Sequence, residues 1–353
     1  MFRVLLFFCL SSYSITGLAQ DHFDKIKGVN FVTPHFDDLQ LAHIEGIKEV
    51  QAEWISVIPE VVVLRSSLAF DFQYRFIGPY ETVEGMEKTI RLSQEAGLKI
   101  MLKPHIVFQP ISDLKNDQED RTNATEWRGS YVASSEEDWK LLERQYEDYI
   151  LKCARVAEKY HLELFCIGTE LREFAIRRVS FWNKLIRQVK DIYSGPITYS
   201  SNWDGYDQIP FWDQMDFIGM NAYFPISNRK NPDALLIKSA WNTIKVDVMA
   251  LARAQSKPIL FTEFGWRNVD YSGKEPWTHN YGNPPSNLNL QYDLYDSFLS
   301  CFWKEAWVAG AMCWNWNYVS VDHSDTNFHI NNKPAMAVLK RYYSQKDFFF
   351  SKD

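Results

Sequence analysis

The sequence predicts a single (β/α)8 barrel, and three observations favour this fold class. Eight short apolar runs alternate with longer amphipathic stretches along the 353 residues, which is the order of strands and helices in such a barrel. The runs are continuously apolar, as expected of parallel strands covered on both faces. No linker or change in composition divides the chain. A doubly wound open sheet is the alternative, but no Gly-rich phosphate turn follows the first run.

The elements follow in order along the chain. Strands are predicted at Ile26–Val32, Val61–Arg65, Leu98–Lys103, Leu164–Gly168, Pro196–Ser200, Asp216–Met220, Pro258–Thr262 and Gly310–Trp314. Helices are predicted at Val83–Ala96, Glu136–Tyr160, Phe181–Ile192, Asp233–Ala254 and Leu290–Lys304. In the longest of them, apolar side chains such as Trp139, Leu142 and Tyr146 recur at helical spacing.

Three long segments are predicted to be insertions that follow strands: Ile106–Ser135, Arg267–Asn289 and Asn317–Lys333. In a barrel, the loops that follow strands build the active-site face. The first two insertions carry large rings and an imidazole: Trp127, Trp277, His279 and Tyr281. Such loops indicate a cleft for an extended substrate, with surface decoration as the alternative for each loop taken singly.

The first 19 residues have the pattern of a secretory signal peptide. Arg3 precedes a short apolar run, Val4–Leu10, and the small residues Gly17 and Ala19 stand where a signal peptidase requires them. We therefore expect a secreted or periplasmic protein, with residues 20–353 forming one (β/α)8 domain.

Composition narrows the choice of partner. The chain carries 38 Lys and Arg against 45 Asp and Glu, a net charge of −7, with no block of basic residues. This balance argues against nucleic acid or an anionic membrane as a partner. After the signal segment no apolar run is long enough to cross a bilayer. The chain has 13 Trp, 18 Tyr and 24 Phe, and such rings either fill a core or stack on a flat ligand.

The cysteines after the signal segment show no metal-binding spacing. They are Cys153, Cys166, Cys301 and Cys313. We predict buried free thiols, although an oxidising compartment permits a disulfide. The sequence also contains no HExxH, P-loop or GxSxG motif. Neither a metal nor a cofactor is predicted.

Two glutamates stand out by position. Glu170 directly follows the fourth predicted strand and Glu263 the seventh, both in a Thr-Glu context. A single acidic residue after a strand is normally the solvated start of a loop. Strands four and seven, however, face each other across an eight-stranded barrel, so these two carboxyl groups can converge. Glycoside hydrolysis needs such a pair of carboxyl groups at the scissile bond.

The motifs around these glutamates resemble those of the retaining (β/α)8 glycosidases and, within them, glycoside hydrolase family 113, whose characterised members are β-1,4-mannanases. The matching segments are Ile167–Leu171, Phe261–Arg267 and, in the tail, Ser324–Phe328 and Lys333–Ala335, and the resemblance spans roughly residues 26–342. The chain departs from the wider clan at Thr169, where Asn is usual. This departure leaves open which residue contacts the sugar 2-hydroxyl, although Thr at this position fits the narrower family.

The resemblance implies that Glu170 is the general acid/base and Glu263 the nucleophile. Glu170 must then be protonated near neutral pH, while Glu263 must stay ionised and needs donors. Arg65, at the end of the second predicted strand, and Tyr223, just past the sixth, are the predicted donors. A surface charge at Arg65 and a core ring at Tyr223 are the alternatives.

Further candidates for substrate binding lie at other strand ends. Trp314, on the eighth predicted strand, is the predicted sugar-stacking platform, with Trp316 less favoured because side chains alternate along a strand. His105, after the third, is predicted to bond a sugar hydroxyl or to tune Glu170, with a structural role as the alternative. Three more residues are predicted hydroxyl partners, with turn formation as their alternative role: Asn30, Asn202 and Trp203.

Together these expectations describe a secreted retaining glycosidase that binds an oligo- or polysaccharide, with β-1,4-mannan as the favoured substrate. No cofactor is expected because two carboxyl groups and water suffice for the chemistry. The alternatives are action on another β-glycan, transglycosylation, and a catalytically silent carbohydrate-binding barrel. The presence of both glutamates argues against the last. Loops set specificity while the catalytic pair stays the same, so the other two alternatives stay open.

Overall fold

A computed structural model describes residues 24–33, 37–74, 77–109, 127–278, 284–318 and 325–345. The predicted signal peptide at residues 1–19 lies outside the described residues, as do His279 and Tyr281. None of the described helices is long and apolar enough to span a membrane.

The described residues form eleven strands. They are β1 (Ile26–Val32), β2 (Trp54–Val57), β3 (Glu60–Val63), β4 (Phe70–Asp71), β5 (Lys99–Leu102), β6 (His105–Phe108), β7 (Leu164–Thr169), β8 (Ile197–Asn202), β9 (Phe217–Asn221), β10 (Ile259–Phe264) and β11 (Val308–Asn317). Eight of them close into a barrel in the order β1-β2-β5-β7-β8-β9-β10-β11, with β11 pairing back to β1. This confirms the predicted fold class. Because all pairs are parallel, the C-terminal ends of the barrel strands meet at one mouth.

The predicted second strand at Val61–Arg65 was wrong, because the barrel strand is β2, which lies just before it. Val61 belongs to β3, in a separate three-stranded sheet with the order β4-β3-β6. Two prolines, Pro59 and Pro104, stand between β2 and β3 and between β5 and β6. Proline lacks the N–H that a barrel ladder needs, so both strands leave the barrel there and pair with each other above its mouth. The run of three valines predicted a strand but not its sheet.

The helices cover the outside of the barrel. They are α1 (Leu41–Glu45), α2 (Met86–Glu95), α3 (Glu136–Lys159), α4 (Arg172–Arg177), α5 (Val179–Ile192), α6 (Ala234–Gln255), α7 (Leu288–Phe302) and α8 (Ala335–Tyr343). The five predicted helices all exist, with their ends moved by a few residues. The start of α3 is fixed by Ser135, whose Oγ accepts the N–H of Asp138 at 3.1 Å, and three acidic residues complement the first turn.

The barrel interior is layered, and the layering positions the site. Apolar side chains from the N-terminal parts of the strands fill the lower half: Ile26, Trp54, Met101, Leu164, Cys166, Phe217, Leu260, Ala309 and Met312. Above them, towards the mouth, lies a buried polar layer that includes Asn30, Lys103, Ser200, Asn221 and Thr262. Buried polar groups must be hydrogen-bonded to be tolerated. This layer therefore forms a fixed floor under the mouth.

The four cysteines of the described residues are free thiols, as predicted. Cys153, Cys166 and Cys313 are buried, and Cys301 is half-buried. Burial raises the pKa of Cys166 to about 11 and that of Cys313 to about 12. Thiols held protonated in this way are inert packing groups.

Candidate active site

Two buried glutamates lie at the C-terminal mouth of the barrel. Glu170 directly follows β7, the fourth barrel strand, and Glu263 lies near the end of β10, the seventh. Their exposed fractions are 8% and 4%. Residues of β9 and its following loop contact both of them, since Asn221 bonds Glu170 and Tyr223 bonds Glu263. The glutamates thus stand at the strand ends where the sequence predicted them.

Glu170 accepts three hydrogen bonds from groups that can only donate. Its Oε2 faces the indole Nε1 of Trp127 at 3.1 Å and the Nη2 of Arg128 at 3.4 Å. Its Oε1 accepts from the Nδ2 of Asn221 at 2.9 Å. The Oδ1 of Asn221 in turn accepts from Ser200 at 2.8 Å and Thr262 at 2.9 Å. A carboxylate can only accept, whereas the two hydroxyls can donate, so the amide directs its N–H at Glu170 and its oxygen at the hydroxyls.

The backbone of Glu170 is in the left-handed region, with a φ of 56°. A non-glycine residue there costs on the order of 1 kcal/mol or more. The conformation is held by the bond from the Glu170 N–H to the Ser200 carbonyl at 2.7 Å. The turn stops β7 and directs the side chain into the mouth, where a regular strand residue would alternate between the barrel interior and the helices.

Glu263 has a different pair of partners. Its Oε1 is paired with the Nζ of Lys103, an ammonium group with no exposed surface. Its Oε2 accepts the hydroxyl of Tyr223 at 2.7 Å. Burial, then the negative charge of Glu263, raises the pKa of Tyr223 well above its ordinary value, so this hydroxyl remains a donor. A full positive charge and a hydroxyl donor together favour the ionised carboxylate.

The chain matches the family model of Glycoside Hydrolase Family 113 over residues 37–333. The chain belongs to glycoside hydrolase family 113. The matched span includes both glutamates and most of the barrel, so this protein is a glycoside hydrolase and acts on a saccharide. A search of curated protein sequences finds no significant match.

Solved structures of the family share the fold of this family 113 protein. The β-mannanase AaManA from Alicyclobacillus acidocaldarius superposes with a TM-score of 0.78 at 24% identity, covering 92% of this chain and 99% of its own. A second family 113 β-1,4-mannanase has a TM-score of 0.74 at 23% identity, covering 92% and 100%. A β-glucuronidase from Faecalibacterium prausnitzii has a TM-score of 0.60 at 16% identity, and the match covers 92% of this chain and 50% of the glucuronidase.

The sequence assigned the wrong cation to Glu263. Arg65 follows β3 in the small sheet and not the second barrel strand. Its Nε donates to the carbonyl of Gln109 at 2.6 Å, and its guanidinium lies 5.5 Å from the ring centre of Phe108. Lys103, which directly follows β5, takes the position beside Glu263. Tyr223, the other predicted donor, is in place.

Asn30 lies beneath the site and not at its surface. It is fully buried, and its Nδ2 donates to the carbonyls of Thr262, Met312 and Cys313 at 3.1–3.3 Å. Its Oδ1 accepts from Lys103 at 3.0 Å. Asn30 therefore offers no surface to a sugar, contrary to the prediction, and instead orients the ammonium that pairs with Glu263.

His105 and Trp314 stack against each other. Their ring centres are 6.5 Å apart with an angle of 13° between the planes, and the Nζ of Lys103 lies 5.5 Å from the Trp314 ring centre. Burial, followed by the charges of Arg128 and Lys103, lowers the pKa of His105 well below its ordinary value, so the imidazole is neutral. Trp314 is half-buried, as a ring that lines an open site must be.

Trp316 faces away from the mouth. In a regular strand, Trp316 would lie on the same face as Trp314, because the two are two residues apart. Alternation was therefore the wrong reason to prefer Trp314. The structure nevertheless has Trp314 beside Lys103 and His105, with Trp316 on the other face. The pairing of β11 with β1 shifts register between Asn30 and Phe31 and passes over Asn315. The ring of Trp316 consequently packs on Gly46, outside the barrel, and is 4% exposed.

Asn202 and Trp203 lie at the end of β8 on the rim of the mouth, both half-buried. The Nδ2 of Asn202 donates to Asp204 at 2.9 Å, which is the turn-forming role given as its alternative. Trp203 stacks on Trp277 with ring centres 5.3 Å apart and planes at 19°. Trp277 is 41% exposed and belongs to the predicted insertion Arg267–Asn289, so one predicted cleft loop and the segment after β8 together form an aromatic wall.

Sequence reasoning missed four side chains that contact the glutamates. They are Lys103, Asn221, Arg128 and, as a direct partner of Glu170, Trp127. Lys103 and Asn221 each stand at the end of a barrel strand, which is the signal that picked out the two glutamates. Trp127 and Arg128 belong to the long segment after the third barrel strand, and no sequence pattern indicates which of its residues contact Glu170.

Proposed function

We propose that this glycoside hydrolase is a retaining β-1,4-mannanase in which Glu170 is the general acid/base and Glu263 the nucleophile. The observation that carries the proposal is the inequality of their partners. Glu263 is paired with a buried ammonium, whereas the nearest partners of Glu170 are an indole and an amide. The one cation beside Glu170, the guanidinium of Arg128, stands further off at 3.4 Å. A nucleophile must be ionised in the free enzyme, and an acid must be able to hold a proton. The inequality matches this division of roles.

In the first step the carboxylate of Glu263 attacks the anomeric carbon while Glu170 gives its proton to the glycosidic oxygen. The C–O bond to the leaving sugar breaks, and a glycosyl ester forms on Glu263. The negative charge of Glu263 is consumed in this step. Lys103 keeps its bond to Asn30 and its place over Trp314, so the ammonium remains satisfied when its carboxylate partner becomes an ester.

In the second step Glu170, now a carboxylate, takes a proton from water as the water oxygen attacks the anomeric carbon. The ester bond to Glu263 breaks, and Glu170 is protonated again for the next cycle. Two displacements at one carbon leave the anomeric configuration unchanged. Trp314 lines the site as an apolar face on which a sugar ring can stack.

The proposed substrate rests on the family and on the two solved relatives that are β-mannanases. The test is a panel of β-mannan, cellulose, xylan and β-1,3-glucan, with products identified by mass and their first-formed anomer by NMR. We expect oligosaccharides from mannan, released as the β-anomer. Release of the α-anomer would contradict retention, and faster cleavage of another glycan would replace mannan as the substrate. Products longer than the substrate would indicate transglycosylation.

The proposal extends to location. The pattern of residues 1–19 supports export from the cell. A polysaccharide that is too large to enter the cell would be degraded outside it. Expression of the full chain followed by mass measurement of the exported protein tests this. We expect the mature chain to begin at Gln20; intact chains found only inside the cell would contradict it.

A further inference from the structure

Trp127 is held with its indole N–H directed at Glu170. The Nε1–Oε2 distance is 3.1 Å, and the ring is half-buried at the rim of the mouth. A short 3-10 turn, Arg128–Ser130, begins immediately after it. The carbonyl of Trp127 accepts both the N–H of Ser130 at 3.0 Å and its hydroxyl at 2.8 Å. The backbone that carries the indole is therefore tied down locally.

Two neighbours fix the plane of the indole. The guanidinium of Arg172 lies 5.3 Å from the ring centre and is itself paired with Asp204 at 2.9 Å and Glu173 at 3.5 Å. Gly129 packs against the six-membered ring so closely that a Cβ there would stand 2.2 Å from the indole. A cation over the ring and a residue without a side chain beside it leave the indole one orientation.

The three partners of Glu170 share a chemical property. Indole, guanidinium and the amide nitrogen of Asn221 can only donate hydrogen bonds. Each therefore favours the carboxylate over the carboxylic acid. The carboxylate is the form that accepts a proton from water in the second step, whereas the first step needs the acid. Loss of one donor should extend the acid form to higher pH.

We infer that Trp127 is a positioning residue for Glu170, held by Arg172 and Gly129, whose N–H bond sets the upper pH limit of the first step. The inference rests on the proposed role of Glu170 as acid/base. The charged and titratable groups around that carboxyl come from several elements. They are Arg128 from the segment after β6, Tyr199 from β8 and Tyr223 after β9, and Tyr223 in turn bonds Glu263 of β10.

The test is the pH profile of kcat/KM for Trp127→Phe on an oligosaccharide substrate. This variant keeps a ring for Arg172 but removes the N–H. We expect the basic limb of the profile to move upwards by about 0.5–1 pH unit, while the acidic limb stays in place. Trp307→Phe is the matched control, because its Nε1 also donates to a carboxylate, Glu305, at 3.0 Å. That pair lies just before β11, at the opposite end of the barrel, and should leave both limbs unchanged.

A second variant protects the test against loss of folding. Gly129→Ala keeps every donor but pushes the indole aside, and it should move the basic limb in the same direction. A basic limb that stays in place in the folded Trp127→Phe variant, or in Gly129→Ala if the first does not fold, overturns the inference.

A double substitution separates this inference from the proposed function. If Trp127 acts through Glu170, adding Trp127→Phe to Glu170→Gln should change kcat/KM for an activated aryl glycoside by less than about twofold. A loss as large as in the wild-type background would mean that Trp127 acts independently and would overturn the inference alone. Equal losses for Glu170→Gln on activated and unactivated substrates would overturn the proposed acid/base role, and the inference with it.

Discussion

The two glutamates of the mouth share a fold position but differ in their surroundings. Glu263 meets a fully buried ammonium on one oxygen and a phenol on the other. Glu170 meets an indole, an amide and a guanidinium at 3.4 Å. The strand ends alone would make the two residues interchangeable. The comparison teaches that the neighbours, and not the strand positions, distinguish the two carboxyl groups, and the proposed assignment of nucleophile and acid rests on that difference.

Replacement of the glutamates themselves should give the largest effects. Glu263→Gln should lower kcat/KM by about 10⁴-fold or more on every substrate, since no glycosyl ester can form. Glu170→Gln should impair substrates with poor leaving groups most and spare activated aryl glycosides in the first step. Azide should then rescue Glu170→Gln through a glycosyl azide of unchanged configuration. If azide instead rescued Glu263→Gln with retained configuration, the assignment of nucleophile and acid/base would have to be exchanged.

Removal of the buried ammonium should come next. Lys103→Met should lower kcat/KM by about 100-fold, which is about 2.7 kcal/mol of transition-state stabilisation. The ammonium favours the ionised Glu263, so its loss should move the acidic limb of the pH profile upwards. Lys27→Met is the control, since Lys27 is also largely buried and pairs with Glu53 at 3.3 Å, near the start of β1. An unmoved acidic limb in folded Lys103→Met would contradict the assignment.

The next largest effect is expected at Trp314, the proposed sugar-stacking platform. Trp314→Ala should lower kcat/KM by at least tenfold, or about 1.4 kcal/mol, because in the proposed role the ring stacks on the sugar and meets the positive charge that develops on it. The melting temperature should change little, since the ring is half-buried. A core Trp would instead cost about 3–5 kcal/mol of stability. Early melting with normal kcat/KM in the folded variant would move Trp314 from the site to the core.

The smallest effect is expected from the phenol. Tyr223→Phe removes a donor to Glu263 but leaves the ammonium, so kcat/KM should fall by about tenfold or less. Burial and then the charge of Glu263 hold the pKa of Tyr223 well above its ordinary value, so this group stays protonated through the working range. The basic limb should therefore be the same in Tyr223→Phe and wild type. A basic limb that disappears in the variant would show that Tyr223 titrates there.

Much of this architecture follows from local pattern. Continuous apolar runs predicted seven of the eight barrel strands, because a strand that is buried on both faces must be apolar at nearly every position. The same reasoning placed Glu170 and Glu263 at the ends of strands four and seven. Tyr223 and Trp314 were within reach for the same reason, since a residue at the C-terminal end of a barrel strand faces the mouth.

What the sequence could not predict depends on contacts between distant segments. The valine run at Val61 looked more strand-like than Trp54–Val57, because pattern reports local propensity and not which sheet accepts the strand. Because of that error, Arg65 and not Lys103 was predicted to be the cation beside Glu263. Asn30 lies in the buried polar layer beside Lys103. The two residues are 73 positions apart in the sequence, so local pattern could not show that the Asn30 amide bonds a buried lysine and not a sugar.

The most direct test of the unequal pair is to trap the glycosyl ester. An activated 2-fluoro-mannosyl oligosaccharide slows the second step more than the first, so the intermediate accumulates and the labelled peptide can be sequenced by mass spectrometry. We predict one sugar per chain, attached to Glu263, in wild type and in Glu170→Gln, and none in Glu263→Gln. A label on Glu170, or labelling that survives Glu263→Gln, would contradict the assignment of nucleophile and acid.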